Sequence, residues 1–192
     1  KQFSYVNYKR YSNKLLDDFK GGLIILDYRL KPQVDDLQEK IDFDIIYTIN
    51  PRLLFIKISL ELKSEINLEK KISIGKNTLI DSSVKLIGPI EIGDNCVIKA
   101  NANLGNEGFG YEFDHIKNDF LKTPHYKGVK ISNNVHIGSS TCIDKGIFQD
   151  TFIGESVKID NLVHIAHNVQ IFDNCLIIAG SVICGSSTLS KN

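Results

Sequence analysis

The chain has 192 residues, with 23 basic and 23 acidic side chains and a formal net charge of zero. That balance excludes the basic footprint of a nucleic-acid binder, and the length allows one domain plus a small one. No apolar run approaches the roughly eighteen residues of a membrane-crossing helix, and no secretory leader is visible in the residues present. The four cysteines, Cys96, Cys142, Cys175 and Cys184, form no Cys-x-x-Cys pair. They read as reduced thiols of a cytoplasmic protein.

Residues 1–65 carry no repeat. Phe3 to Tyr11 is aromatic and basic, and Ser12 to Lys20 has the pattern of a short helix. Gly22 to Leu26 reads as a buried strand closed by Asp27, and Ile45 to Tyr47 as another. Asn50-Pro51 then starts a helix that places Leu53, Ile56 and Leu60 on one face. Strand, strand and helix predict a small α/β domain over 1–65, joined by residues 64–71 to the remainder of the chain. Its aromatic stretch suits either a core or a surface on which a base stacks.

From residue 66 a different rule applies. Every sixth residue is aliphatic at Ile74, Ile80, Leu86, Ile92, Ile98 and Leu104, again at Ile131, Ile137 and Ile143, and again from Ile153 to Leu189. A period of six is neither an amphipathic helix nor a plain alternating strand. It is the period of a hexapeptide-repeat parallel β-helix. The repeating residue and its partner two positions earlier point inward, so Cys96 and Cys175 become small core residues. The Gly, Asn, Asp and Ser after each repeat position turn a corner. Three hexads make one triangular coil, residues eighteen apart stack about 4.8 Å from one another, and the sixteen repeats give about five coils. Residues 106–128 interrupt the array with Gly108-Phe109-Gly110-Tyr111 and Thr123-Pro124-His125, and long insertions in solenoids map to a functional face. Four extra residues between Ile143 and Ile153 make Lys145 to Asp150 bulge from a corner. The absence of Met, and a repeat that stops at Leu189, predict an internal piece of a longer protein.

His115 and His125 lie on the insertion, while His136 and His164 precede repeat positions and face outward, where a solvated or interface role is expected. His167 differs. It falls two residues after Ile165, at a corner, and Gly185 comes eighteen residues later, roughly 5 Å away on the next coil. A base beside a bare N–H donor is what acyl transfer needs. The base takes a proton from the attacking amine, and the donor meets the oxyanion. A surface or interface histidine is the alternative.

The runs Asn106 to Tyr111, Thr123 to Gly128, Thr141 to Gly146 and Asp160 to Val169 resemble UDP-3-O-(3-hydroxyacyl)glucosamine N-acyltransferase of lipid A biosynthesis. The resemblance implies a left-handed β-helix, a hand the repeat itself does not fix. It implies a cytoplasmic homotrimer with active sites between subunits. It further implies a UDP-amino-sugar acceptor held by an N-terminal uridine-binding domain, and no tightly bound cofactor. The donor would be an acyl carrier protein bearing its acyl group on phosphopantetheine. Carried over, His167 is the general base and Gly185 the oxyanion donor. Asp160 and Asn161 are substrate-binding, and Tyr11 is the tyrosine of a Phe-x-x-Asn-x-x-Tyr uridine motif, with Tyr5 and Tyr8 at its other two places. Lys145 stands where arginine is common, which keeps the charge and loses the bidentate fork. The expected domains are 1–65 and 66–192, with the insertion 106–128 in the second. Other readings stay open. A related acyl- or acetyltransferase could act on another nucleotide-linked amino sugar, and a trimeric scaffold could be non-catalytic. A zinc hydratase needs three converging histidines, which His164 and His167, pointing from different parts of one coil, do not supply.

Overall fold

A computed structural model describes residues 2–6, 22–35, 43–62 and 71–191. Tyr8, Tyr11, the helix expected over Ser12 to Lys20 and the 64–70 link lie outside the described residues. The chain divides into two compact units, residues 1–65 with 111–123, and residues 66–110 with 124–192.

In the first unit β1 (Gln2–Val6), β2 (Gly22–Asp27) and β3 (Asp44–Thr48) form a parallel sheet in that order. The central strand β2 reads Leu-Ile-Ile-Leu, with Ile24, Ile25 and Leu26 fully buried, as a strand covered on both faces must be. A 3-10 turn (Tyr28–Leu30) leads into a short helix α1 (Lys31–Asp35). Asp27 caps the turn by accepting from Arg29 N–H at 3.0 Å. The expected helix is α2 (Pro51–Glu61), capped by Asn50, whose Oδ1 accepts from Leu53 N–H at 3.0 Å. Its buried residues are Pro51, Phe55, Ile56 and Ser59, whereas Leu60 stays exposed. The stripe expected through Leu53, Ile56 and Leu60 is therefore rotated. Ser59 can sit inside because its hydroxyl donates to Phe55 O at 2.6 Å. Residues 111–123 add an antiparallel hairpin, tied to α2 by Lys57–Asp114 at 2.7 Å and Arg52–Glu112 at 3.3 Å.

The second unit is a parallel β-solenoid of three sheets, one of six strands and two of five. Each strand ends on a repeat position except Asn103–Glu107 and Cys142–Lys145, which run two or three residues beyond theirs. Ile74, Ile92, Ile131, Ile153, Ile171 and Leu189 stack in the first sheet. Ile80, Ile98, Ile137, Ile159 and Ile177 stack in the second, and Leu86, Leu104, Ile143, Ile165 and Ile183 in the third. These are five coils and one further strand. The two insertions are absorbed where Ile131 pairs with Ile92 and Ile153 with Ile131, so the stacking survives them. Ile153 through Ile177 are buried as expected, and so are Cys96 and Cys175. Ile183 is only half-buried, because it packs on Ile165 from one side alone among the described residues.

The corners obey a single backbone rule. The residue three places after the repeat position is left-handed at Asn77, Asn95, Asn101, Asn134, Ser140, Ser156, Asn168, Asn174 and Ser186, with φ between 55 and 63°. Asn tolerates that region best among non-glycine residues. At 162 the same place holds an exposed leucine at φ 57°.

Candidate active site

His167 leaves the third sheet just after Ile165, which is buried between Ile143 and Ile183. The corner above it is fixed by Ser186 N–H donating to His167 O at 2.9 Å. At four other corners the residue two places after the repeat position is Asp or Asn, and its side chain caps an N–H of the coil before. Asp94 accepts from Lys76 N–H, Asn133 from Asp94 N–H, Asn161 from Ser139 N–H and Asp173 from Glu155 N–H. At 185 that capping side chain is missing, and the imidazole of His167 fills its place. A Cβ on Gly185 would stand 2.7 Å from both Cε1 and Nε2 of the ring.

Three more groups converge on the ring from the insertion and the coil below. His125 is 3 % exposed and meets His167 edge-on, with ring centroids 5.3 Å apart. A Cβ on Gly108 would lie 2.9 Å from His125 Nε2, 3.0 Å from His167 Cδ2 and 3.3 Å from Asp144 Oδ2. Residue 108 must therefore lack a side chain for these three to approach one another. Asp144 reaches this point because the ladder between Asn103–Glu107 and Cys142–Lys145 shifts register after Ile143. Its Oδ2 is 3.5 Å from His164 Nε2. Burial pushes the Asp144 carboxyl above the usual aspartate range, while His164 and His167 pull it back. Cys142 stacks beneath His164. Burial first, and the Asp144 charge second, push its thiol up, which keeps it protonated and unsuited to attack as a thiolate.

The structure thus brings His167 and Gly185 together. It does not bring Asp160 and Asn161 to them within one chain. These two occupy the preceding corner, where Asp160 Oδ1 accepts from Asn161 N–H at 2.8 Å and Asn161 Oδ1 accepts from Ser139 N–H at 2.7 Å. Corners six residues apart are different vertices of the triangle, which is the physical reason for the separation. Tyr5 belongs to the first unit and packs on Phe55, ring centroids 5.0 Å apart. Lys145 pairs with Glu107 at 3.6 Å. His125, Asp144 and Gly108 were not singled out by sequence reasoning. The hexad cannot position a residue inside an insertion, and the register shift that turns Asp144 toward the ring leaves no mark on the spacing. The glycine at 108, on an insertion already expected to be functional, was the available signal. Among the described residues no three His, Cys, Asp or Glu side chains are placed to share a metal ion, and no helix is long and apolar enough to cross a membrane.

Residues 71–106 and 150–185 match the family model described as bacterial transferase hexapeptide (six repeats). The second stretch contains both His167 and Gly185. The chain is also 43 % identical over 102 residues to UDP-3-O-acylglucosamine N-acyltransferase of Caulobacter vibrioides, covering 53 % of this chain and 30 % of that one. It is 48 % identical over 100 residues to the protein of the same name from Rickettsia massiliae, covering 52 % and 28 %. With a probable UDP-3-O-acylglucosamine N-acyltransferase 2, mitochondrial, of Arabidopsis thaliana it shares 45 % over 103 residues, covering 54 % and 34 %. The solenoid carries hexapeptide repeats and is similar in sequence to these N-acyltransferases. The chain spans about a third of the length of the curated relatives it matches. A solved structure of PerB from Caulobacter crescentus with CoA and GDP-perosamine covers 86 % of this chain and 72 % of its own at 12 % identity, with a TM-score of 0.23. At that score the likeness carries no argument.

Proposed function

We propose that this chain is part of an N-acyltransferase that moves a 3-hydroxyacyl group from a thioester donor to the 2-amino group of a UDP-3-O-acylglucosamine, in cytoplasmic lipid A biosynthesis. The observation that carries the reading is the imidazole of His167 packed directly on the bare backbone of Gly185. In the reaction His167 accepts a proton from the amine as the nitrogen attacks the thioester carbonyl. The Gly185 N–H meets the oxyanion of the tetrahedral intermediate, which no side chain at 185 obstructs. Collapse forms the amide, breaks the carbon–sulfur bond and returns the proton from the imidazolium to the leaving thiolate. The donor thiol is the phosphopantetheine of an acyl carrier protein.

The reading includes a homotrimer. Asp160 and Asn161 sit at a different vertex from His167, so they can serve the same substrate only from a neighbouring prism. Uridine is assigned to the first unit, with Tyr5, Tyr8 and Tyr11 as its contacts. Transfer from 3-hydroxyacyl carrier protein to UDP-3-O-acylglucosamine, measured with the full-length enzyme, tests the proposal. His167→Ala should lower kcat by about 10²- to 10⁴-fold with the oligomer intact, and His164→Ala much less. Near-normal turnover of His167→Ala overturns the mechanism. Transfer from acetyl-CoA with none from the acyl carrier protein overturns the donor.

A further inference from the structure

We propose that Asn168 is a positioning residue that fixes the tautomer of His167, and that the Lys145–Asp150 insertion is the frame that holds Asn168. The proposal rests on His167 acting as a base through Nε2. The two ends of an asparagine amide have the same shape, and only their hydrogen bonds distinguish them. At Asn168 both ends meet main-chain groups of unambiguous polarity. Oδ1 accepts from Ile147 N–H at 3.1 Å, and Nδ2 donates to Gln149 O at 3.2 Å. A flipped amide would set N–H against N–H and oxygen against oxygen.

With its orientation settled, Asn168 presents an oxygen to His167, 3.0 Å from Nδ1. An oxygen without hydrogen can only accept, so Nδ1 carries the proton. A neutral imidazole has one donor and one acceptor nitrogen, and the lone pair therefore falls on Nε2. That is the atom lying against Gly185, where the oxyanion and the attacking amine are assigned.

Ile147 and Gln149 both belong to the segment that departs from the six-residue period. The segment is closed on the same corner from its far side. Thr151 Oγ1 donates to Asp144 O at 2.7 Å and accepts from Asn168 N–H at 3.0 Å. Asn168 also takes the left-handed corner conformation, φ 62°. Ser140, Ser156 and Ser186 adopt the same conformation at equivalent corners, so the turn by itself does not require an amide. The amide is what the insertion engages, and through it the imidazole.

The test uses the full-length protein with ¹⁵N-labelled histidine, and the His167 signals are assigned by their loss in His167→Gln. Above the titration of the ring, His167 should be protonated at Nδ1, the intrinsically less favoured tautomer. Asn168→Ser keeps the corner and removes the amide. It should give a mixture of tautomers and a kcat lowered several-fold, in proportion to the fraction of His167 no longer protonated at Nδ1, with KM unchanged. Asn168→Asp keeps an acceptor toward both Ile147 N–H and Nδ1. It should retain the tautomer and much of the activity, with the acidic limb of the kcat profile moved to higher pH. A parent enzyme protonated at Nε2, or an unchanged tautomer in Asn168→Ser, overturns the proposal. Should a variant not fold, the spectrum of the parent alone still decides. The readout is also separate from catalysis, since an active His167→Ala enzyme would sink the base assignment while leaving the tautomer measurement standing.

Discussion

Gly185→Ala separates folding from chemistry at one atom. The new Cβ would stand 2.7 Å from Cε1 and Nε2 of His167, about 0.7 Å inside the 3.4 Å at which ordinary contact begins. Gly185 does not have a positive φ, unlike Gly180, so alanine fits its backbone. What must yield is the imidazole, the end of a half-buried side chain. A displacement approaching 1 Å at a reacting group costs on the order of 10²-fold in rate. A glycine replaced by alanine at a compatible backbone gains about 0.4–1 kcal/mol through the unfolded chain. The variant's melting temperature should therefore stay near the parent's, the gain through the unfolded chain offsetting the ring's displacement from Asn168 and His125, while kcat for acyl transfer falls by about two orders of magnitude. Gly180→Ala is the opposite case. Nothing lies within 4 Å of its Cβ, but its φ is +74°, and alanine there should cost about 1–2 kcal/mol. Calorimetry beside steady-state kinetics reads both variants. A Gly185→Ala enzyme with parental kcat would show that the ring is not held where the reaction needs it.

Ile165→Ala removes a fully buried repeat residue and should cost about 2–5 kcal/mol in a denaturant titration. Asp144 holds its proton more tightly in the folded state than in the unfolded one, because burial raises its pKa. The folded state then binds more protons in the window from the ordinary aspartate value up to the raised one, and its contribution to stability falls as pH rises through that window. Asp144→Asn should remove that decline, so its melting temperature relative to the parent should climb as the buffer moves from acid toward neutral. A constant difference across pH would disprove it. Full-length Tyr11→Ala should bind a UDP-sugar more weakly in calorimetric titration, and unchanged binding would remove the uridine assignment.

Most of the solenoid was legible because its rule is local and repeated. An aliphatic at every sixth place forces the stacking of Ile153, Ile171 and Leu189, and of Ile143, Ile165 and Ile183. His167 and Gly185 were legible for the same reason, being one coil apart. His125 and Asp144 were not. Each depends on a break in the rule, one inside an insertion and the other after a shift of register. In the first unit the strand at Leu23 to Leu26 declared itself by continuous apolarity. The buried face of α2 did not, since apolar residues at 53, 56 and 60 are outweighed by Phe55 and by a serine satisfied within its own helix.

The parts of the site come from successive rungs, Asp144 below, His167 between and Gly185 above. In a stack where each rung touches only its neighbours, stability is close to a sum of rung and interface terms, and unfolding proceeds rung by rung. In the proposed mechanism catalytic competence is then a property of three adjacent rungs formed together. If the three residues act together as proposed, local opening of any one of these rungs would end activity while most of the far-ultraviolet signal of the sheets remained.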